Sequence, residues 1–243
     1  MLSIYKKEFH QFFSSLSGYI TIILFLIING LFLFVLKDSN ILDLGYANLD
    51  AFFNLAPWVL LFLIPAITMR SISEEFKSGT FEILKTRPIT RWQIILGKYF
   101  AVLTILLIVL LPTLVYGFTV KNLSVRGTID FGGISGSYIG LIMLSAVFAA
   151  IGMACSGLTN NSVVAFLITA FVCLILYFGF SAISKLPIFQ GGADYYTEIT
   201  GIDYHYRSIS RGVVDSRDVL YFISFITFFL FIAVGNLNKQ HRN

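Results

Sequence analysis

The chain has 243 residues, 57% of them hydrophobic and 12% charged, and its formal net charge is +4. Soluble domains average roughly 45–50% apolar and about 25% charged residues, so the composition predicts one membrane domain and excludes a sizeable soluble core. The basic residues lie close to predicted membrane boundaries, which argues against nucleic-acid binding and favours contact with membrane lipid.

Six apolar stretches are each long enough to cross a hydrocarbon core of about 30 Å as a helix. None of them contains a charged or histidine side chain. Proton pumps, ion-coupled carriers and voltage sensors usually need ionisable groups inside the bilayer, so we expect any driving force for transport to come from outside the membrane part. The predicted spans are Gly18–Leu36, Phe52–Met69, Tyr99–Phe118, Ile134–Cys155, Ser162–Ile183 and Val219–Leu237.

Residues 1–17 precede the first span and have the pattern of an amphipathic helix. Their apolar residues recur at steps of three and four, with Lys6, Lys7, His10 and Gln11 between them. We therefore predict a helix lying in the membrane interface; the alternative is a frayed continuation of the first span. The apolar positions are Leu2, Tyr5, Phe9, Phe12, Phe13 and Leu16.

The basic residues are divided unequally between the two sides of the membrane that these spans define. Ten of the 17 Lys and Arg residues fall in segment 70–98 and in the two terminal segments, and the other side carries seven. That other side also carries nine of the 13 acidic residues. The positive-inside rule then predicts an inner-membrane protein with both termini and segment 70–98 in the cytoplasm. Segment 184–218 is the largest predicted external element.

Segment 70–98 is the most charged stretch of the chain. Residues 73–85 can form short helical turns that Gly79 weakens, and Pro88 ends them because the residue before a proline avoids helical geometry. Thr90 and Gln93 match a capping box for the following helix. We therefore expect a short helix, a stop and a new helix entering the membrane, an arrangement on which a partner could press.

The fourth predicted span is rich in small residues. Gly132, Gly136 and Gly140 are spaced by four, and Gly152 lies farther along the same span. Small residues let helices in lipid approach closely. The pattern therefore predicts helix–helix packing at these glycines, either within one subunit or across a dimer.

The sequence offers little for catalysis or for binding a cofactor or metal. It contains no GxxxxGKS or GxxxxGKT loop, so we do not expect the chain itself to bind ATP. Residues 133–136 match the GxSG pattern of intramembrane serine proteases, but all three histidines lie outside the predicted spans and none could activate Ser135. A lone His205 is weak evidence for a metal site, and we expect it to act as an interface anchor.

Segment 74–98, EEFKSGTFEILKTRPITRWQIILGK, resembles the signature of ABC-2 type permeases, the membrane subunits of many ABC exporters. Segments 137–166 and 210–225 are similar to the family's fourth and fifth spans and to the start of its last span. Within the family, the likeness is greatest to gliding-motility permeases of the GldF type. The signature positions are Glu74, Glu75, Lys77, Gly79, Thr80, Glu82, Leu84, Pro88, Trp92, Gly97 and Lys98.

This resemblance implies an all-α membrane protein with six transmembrane helices in a single domain, residues 1–243. It implies a coupling helix between helices 2 and 3 that docks on a separate cytoplasmic P-loop ATPase of the GldA type. The second membrane subunit would be a GldG-type protein or a second copy of this chain. The alternative function is a scaffold that anchors an ATPase without moving cargo. The coupling residues implied are Glu74, Glu75, Phe76, Lys77, Gly79, Thr80, Glu82, Leu84 and Arg87.

Overall fold

A computed structural model describes residues 1–36, 49–81, 88–123, 130–189 and 192–239. All regular secondary structure within these ranges is helical. Among the described residues, six helices are long and apolar enough to cross a membrane. The predicted all-α membrane fold with six transmembrane helices is therefore confirmed.

In chain order the described helices are α1 (Leu2–Ser14), α2 (Leu16–Phe34), α3 (Asp50–Thr68), α4 (Ser73–Lys77), α5 (Arg91–Leu110), α6 (Leu114–Leu123), α7 (Phe131–Ser156), α8 (Ser162–Leu174), α9 (Phe180–Ser184), α10 (Ala193–Ile199), α11 (Ile202–Ser210) and α12 (Ser216–Lys239). A 3₁₀ turn at Leu111–Thr113 joins α5 to α6, and a π-helical turn at Ile175–Gly179 joins α8 to α9. The six spans are formed by α2, by α3, by α5 with α6, by α7, by α8 with α9, and by α12.

Helix α7 is the centre of the bundle. Within its most apolar stretch 83% of the residues are buried, against 61% for the spans that contain α3 and α5. The corresponding fraction is only 22–28% for α2, α8 with α9, and α12. Helix α7 contacts α3, α5, α8, α11 and α12. A movement of α7 would therefore reach almost every other span.

The N-terminal helix α1 is separate from the first span. Ser15 between them is extended, with ψ at 136°, and its hydroxyl accepts a hydrogen bond from the backbone nitrogen of Gly18 at 3.2 Å. A side chain at Gly18 would collide with the carbonyl of Phe12. The chain therefore turns sharply here, and Leu2–Ser14 form a helix of their own and not a frayed continuation of the first span.

Helix α5 begins at Arg91, earlier than the predicted third span. The Thr90 hydroxyl accepts from the backbone nitrogen of Gln93 at 3.3 Å, and the Gln93 side chain accepts from that of Thr90 at 3.1 Å. This is the capping box that the sequence predicts. Because the cap sets the start of the helix, Lys98 lies within α5, about two turns from its first residue.

Candidate functional site

A buried lysine lies at the end of the bundle where α1, α4 and α5 meet. Lys98 on α5 is 1% exposed. Its Nζ donates to Oε1 of Glu8 at 2.7 Å, to the carbonyl of Ser71 at 2.7 Å and to Oε1 of Glu75 at 2.9 Å. An ammonium group has three donors, so Lys98 is fully satisfied by partners from three segments of the chain.

A second lysine completes this group. Nζ of Lys7 donates to Oε1 of Glu75 at 3.0 Å. Burial lowers the pKa of Lys7, but its hydrogen bond to Glu75 and the nearby charges of Glu75 and Glu8 outweigh that effect and raise the pKa. We call Lys7, Glu8, Glu75 and Lys98 the ion-pair cluster. Two cations balance two anions, which permits the burial of Lys98 and Glu75 at its centre.

Helix α1 lies against α5 beside the ion-pair cluster. A side-chain carbon at Gly97 would come within 3.0 Å of the Met1 carbonyl and 3.2 Å of the Cβ of Ile4. Farther along, the Tyr5 hydroxyl donates to Oγ1 of Thr104 at 3.1 Å. Gly97 therefore permits the close approach through which Glu8 reaches Lys98.

The start of α4 is also bonded to the end of α7. The fully buried hydroxyl of Ser156 accepts from the backbone nitrogens of Ile72 at 3.1 Å and Ser73 at 3.2 Å, and donates to the carbonyl of Met69 at 3.1 Å. The hydroxyls of Ser73 and Ser162 lie 3.1 Å apart. Helix α4 is thus attached to α5 by charges and to the α7–α8 region by hydroxyl groups.

The described residues of the predicted coupling segment fall into two sets, one packed against the bundle and one exposed. Glu75 is 7% exposed and pairs inward with Lys98 and Lys7, and Phe76 is half-buried with its ring edge-on to Phe81 at 5.0 Å. Residues Glu82, Leu84 and Arg87 lie outside the described residues. The exposed set is Glu74, Lys77, Gly79 and Thr80.

Sequence reasoning did not bring Lys7, Glu8 and Lys98 together as a candidate site. Lys98 is one of the signature positions and directly precedes the predicted third span, Lys7 is one of the polar residues of the predicted N-terminal helix, and no prediction concerned Glu8. The available signal was the capping box, which starts α5 at Arg91 and carries Lys98 into the helix. No spacing in the sequence indicates that residues 90 and 23 positions from Lys98 would meet it.

The small residues of α7 make their contacts within this chain. A side chain at Gly136 would approach Cα of Gly212 and the carbonyl of Ile209, both to 2.7 Å. Gly140 faces the ring of Tyr206, and Gly152 faces Thr68 of α3. Gly132 backbone atoms lie 2.9–3.0 Å from the position of a side chain at Gly212, which has φ of +88°.

His205 at the opposite end of the bundle is not a surface anchor. It is 8% exposed, and its Nε2 donates to the carbonyl of Ile199 at 2.9 Å while its Nδ1 lies 2.6 Å from Oδ1 of Asp218. Its ring stacks on Tyr221 with centroids 3.8 Å apart. The histidine therefore joins α10, α11 and α12.

Comparison with known proteins adds one match. The sequence model of the ABC-2 family transporter protein matches residues 2–188. The match covers more than half of the chain and includes the ion-pair cluster and α4, whereas segment 210–225 lies beyond it. A comparison with curated proteins found no match.

Proposed function

This chain belongs to the ABC-2 family of transporter proteins, and on that premise we propose that it is the permease subunit of an ABC exporter. It is a multi-pass membrane protein, and membership of the family implies a cytoplasmic ATPase partner. In the proposed mechanism the ATPase binds α4, and closure of the ATPase moves the transmembrane helices. The chain itself carries out no ATP hydrolysis in this proposal.

The ion-pair cluster is the observation that carries the proposal. Glu75 on α4 and Lys98 on α5 are 2.9 Å apart and buried. A solvent-exposed ion pair exchanges its partners easily, whereas a buried ion pair is costly to break. A force on α4 would therefore be transmitted to α5 through Glu75, and to α7 through the hydroxyl of Ser156.

We assign different roles to the residues of the coupling segment. Glu74, Lys77, Gly79 and Thr80 are exposed and would contact the ATPase directly. Glu75 is a positioning residue that transmits movement, and Phe76 would hold the turn against Phe81. Roles in coupling for Glu82, Leu84 and Arg87 rest on the family resemblance.

The same proposal places both termini and α4 on the cytoplasmic side of the inner membrane. The positive-inside rule favours this orientation. Two contacts between the ends of distant helices support a common side. Nδ2 of Asn236 on α12 donates to the carbonyl of Ala154 on α7 at 2.9 Å. The rings of Trp92 on α5 and Phe231 on α12 pack with their centroids 4.8 Å apart. Helix α4 is bonded to this same end of α7.

We further propose that the exporter serves gliding motility, as a GldF-type permease with a GldA-type ATPase and either a GldG-type membrane protein or a second copy of this chain. Only the likeness of segments 74–98, 137–166 and 210–225 supports this narrower assignment. Motility of cells that lack the chain would test it. Normal gliding would contradict the motility role and leave the exporter role standing.

The test of the main proposal is purification of the tagged chain from its native membranes in mild detergent, followed by mass spectrometry of stoichiometric partners. We expect a P-loop ATPase to accompany the wild-type chain and to be lost from Glu74→Lys. Glu75→Gln should retain the ATPase but weaken the dependence of its turnover on the permease. The matched control is Glu198→Lys at the other end, whose surface pair with Arg207 contributes little.

The outcomes separate the two functions considered. Absence of an ATPase from the wild-type sample would refute the exporter assignment. An ATPase that binds without any nucleotide-dependent change in the spans would favour an anchoring scaffold instead. That change can be followed by distance measurements between spin labels on α5 and α12.

A further inference from the structure

A groove of about 420 Å³ lies between α6 and the first turns of α7, at the end of the bundle opposite α4. Its lining extends from Leu114 to Lys121 on α6 and from Phe131 to Ile139 on α7. At about 1.5 Å per residue these stretches are about 10 and 12 Å long, roughly a third of a hydrocarbon core of about 30 Å. The groove is therefore long enough to hold part of a lipid chain. Its fully apolar side chains are Leu114, Phe118, Phe131, Ile134 and Ile139.

The groove exists because its two walls pack on different neighbours. Beyond the 3₁₀ turn that follows α5, helix α6 leans on α2 and α3, where the ring of Tyr116 lies edge-on to Phe34 at 5.7 Å and to Phe52 at 5.6 Å. The start of α7 packs instead on α11, so closely that a side chain at Gly136 would meet the carbonyl of Ile209 at 2.7 Å. The two walls are thereby held apart, and the groove is a fixed feature of the bundle.

The mouth of the groove carries a positive charge. Lys121 near the end of α6 is exposed, and its Nζ lies 5.8 Å from the centroid of the Phe131 ring, within the range of a cation–π contact. The neighbouring carboxylate of Asp130 accepts from the backbone nitrogen of Gly133 at 2.9 Å and so caps α7. Among the described residues that line the groove, Lys121 alone is charged. The mouth therefore suits an anionic group.

The polar atoms farther inside the groove are already bonded within the protein. The Ser135 hydroxyl donates to the carbonyl of Gly132 at 3.1 Å, and the hydroxyl of Tyr138 lies 3.2 Å from that of Thr113. Gly117 lines the groove without a side chain, and no described atom outside its own part of the helix lies within 4 Å of where one would begin. The interior is therefore open and apolar, which suits a hydrocarbon chain, because a polar ligand would lose hydrogen bonds there.

We propose that this groove binds one acyl chain of an anionic phospholipid, with the lipid phosphate on Lys121. Helices α6 and α7 belong to membrane spans, and Phe118 and Phe131 at the edges of the groove are 67% and 62% exposed, so the groove opens to lipid. Lysine side chains near helix ends extend to the level of the head groups. A net negative head group is favoured, because the described lining offers no carboxylate to the ammonium group of a zwitterionic lipid.

This inference goes beyond the proposed function, because lipid binding at α6 and α7 needs no ATPase. In the proposed orientation the groove lies in the outer leaflet. The occupant would bridge the outer ends of two consecutive spans, and it would touch α7, the central helix of the bundle.

Native mass spectrometry of the purified full chain tests the site with two defined lipids, phosphatidylglycerol and phosphatidylethanolamine, each titrated in detergent. The affinity for the first bound lipid is compared between variants. Gly117→Phe fills the groove with a ring, and Val115→Phe, at a position on α6 that is 60% exposed and outside the lining, is the control for bulk. Lys121→Gln removes the charge, and Lys185→Gln, exposed beyond α9 at the same end of the bundle, is its control.

We expect the wild-type chain to bind the first phosphatidylglycerol about fivefold more tightly than phosphatidylethanolamine, which is the effect of one lysine on an anionic lipid. Lys121→Gln should remove this preference. Gly117→Phe should weaken the binding of both lipids by about fivefold or more, since the acyl chain loses its apolar contacts. Neither control substitution should change an affinity, and glycerol 3-phosphate, which has no acyl chain, should displace neither lipid.

Equal affinities of the wild-type chain for the two lipids, or wild-type binding by Gly117→Phe, would overturn the inference. Equal effects of Lys121→Gln and Lys185→Gln would overturn it too, because the attraction would then be a general one. Displacement by glycerol 3-phosphate would show that a free phosphate is the ligand. A wild-type dimer that Gly117→Phe separates in the same spectra would show that a second copy of the chain fills the groove. None of these results bears on the ATPase partner, so the proposed function stands or falls separately.

Discussion

The ion-pair cluster makes a strong prediction for the substitution Lys98→Met, which removes the buried ammonium but keeps an unbranched side chain. Without Lys98, Glu75 keeps an ion pair with Lys7 at 3.0 Å, and Glu8 keeps one with Lys7 at 3.6 Å. The side chain of Lys7 is 52% exposed, so it is a weaker partner than the buried ammonium. Glu75 would become an under-compensated buried charge.

The expected cost follows from this geometry. Removal of one partner from a buried pair typically costs about 3–5 kcal/mol. Lys7 remains beside Glu75, and Glu8 is 17% exposed and can reach water, so we expect the lower end, about 3 kcal/mol. For a chain of this length the melting midpoint should fall by roughly 6–12 °C.

The assay is loss of the monodisperse peak in size-exclusion chromatography after heating in detergent, at one fixed heating time because unfolding of such proteins is rarely reversible. Lys6→Met is the control, since Lys6 is exposed and lies on α1, next to Lys7 of the ion-pair cluster. The double variant Lys98→Met with Glu75→Met should be more stable than Lys98→Met alone, because an apolar pair replaces an ionic one. A midpoint for Lys98→Met equal to that of Lys6→Met, or a double variant less stable than the single one, would refute the reasoning.

Two further predictions use the same heating assay. Gly152→Ala should lower the free energy of unfolding by about 1–3 kcal/mol, because its methyl group would collide with the buried Thr68. The control Gly117→Ala has open space around the new methyl group and should be neutral or slightly stabilising. Equal effects of the two substitutions would show that close packing of α7 on α3 does not matter. His205→Phe keeps the ring on Tyr221 but leaves the buried carboxylate of Asp218 without its hydrogen bond from the imidazole, so we expect a loss of about 3 kcal/mol. Wild-type stability of His205→Phe would contradict the role given to that pair.

The spans, the separate N-terminal helix and the capping box could all be predicted from the sequence. Each depends on residues close together in the chain: apolar runs long enough for a bilayer, a three- and four-residue repeat before Ser15, and the spacing of Thr90 and Gln93. Local patterns of this kind carry their own structural information. The prediction of helix packing at Gly136 and Gly152 has the same origin.

The ion-pair cluster could not be predicted in this way. Its members come from α1, α4 and α5, and nothing local in the sequence brings Glu8 to Lys98. The inward orientation of Glu75 could not be predicted either, because α4 has only five residues and so short a helix shows no hydrophobic periodicity. His205 and Asp218 are 13 residues apart, and the turn between α11 and α12 that joins them is not marked by their spacing.

The π-helical turn Ile175–Gly179 determines which residues of the span formed by α8 and α9 face the bundle. Buried residues along it recur in steps of four, at Ala165, Thr169, Cys173, Tyr177 and Ser181. In a regular α-helix a step of four advances about 40° around the axis, so a stripe of this spacing would wind away from its neighbours. The wider π turn takes up an additional residue and reverses part of that drift.

Rewinding Ile175–Gly179 as a regular α-helix without loss of a residue would rotate everything beyond it by about 100°, the advance of one residue. Ser181 and Ser184 would then leave the buried face, and α9 would present a different side to α10, which it contacts. The π-helical turn therefore determines which side of α9 faces the bundle, independently of the depth of α9 in the bilayer. Relatives that lack it should differ from this chain by a one-residue gap within 175–179.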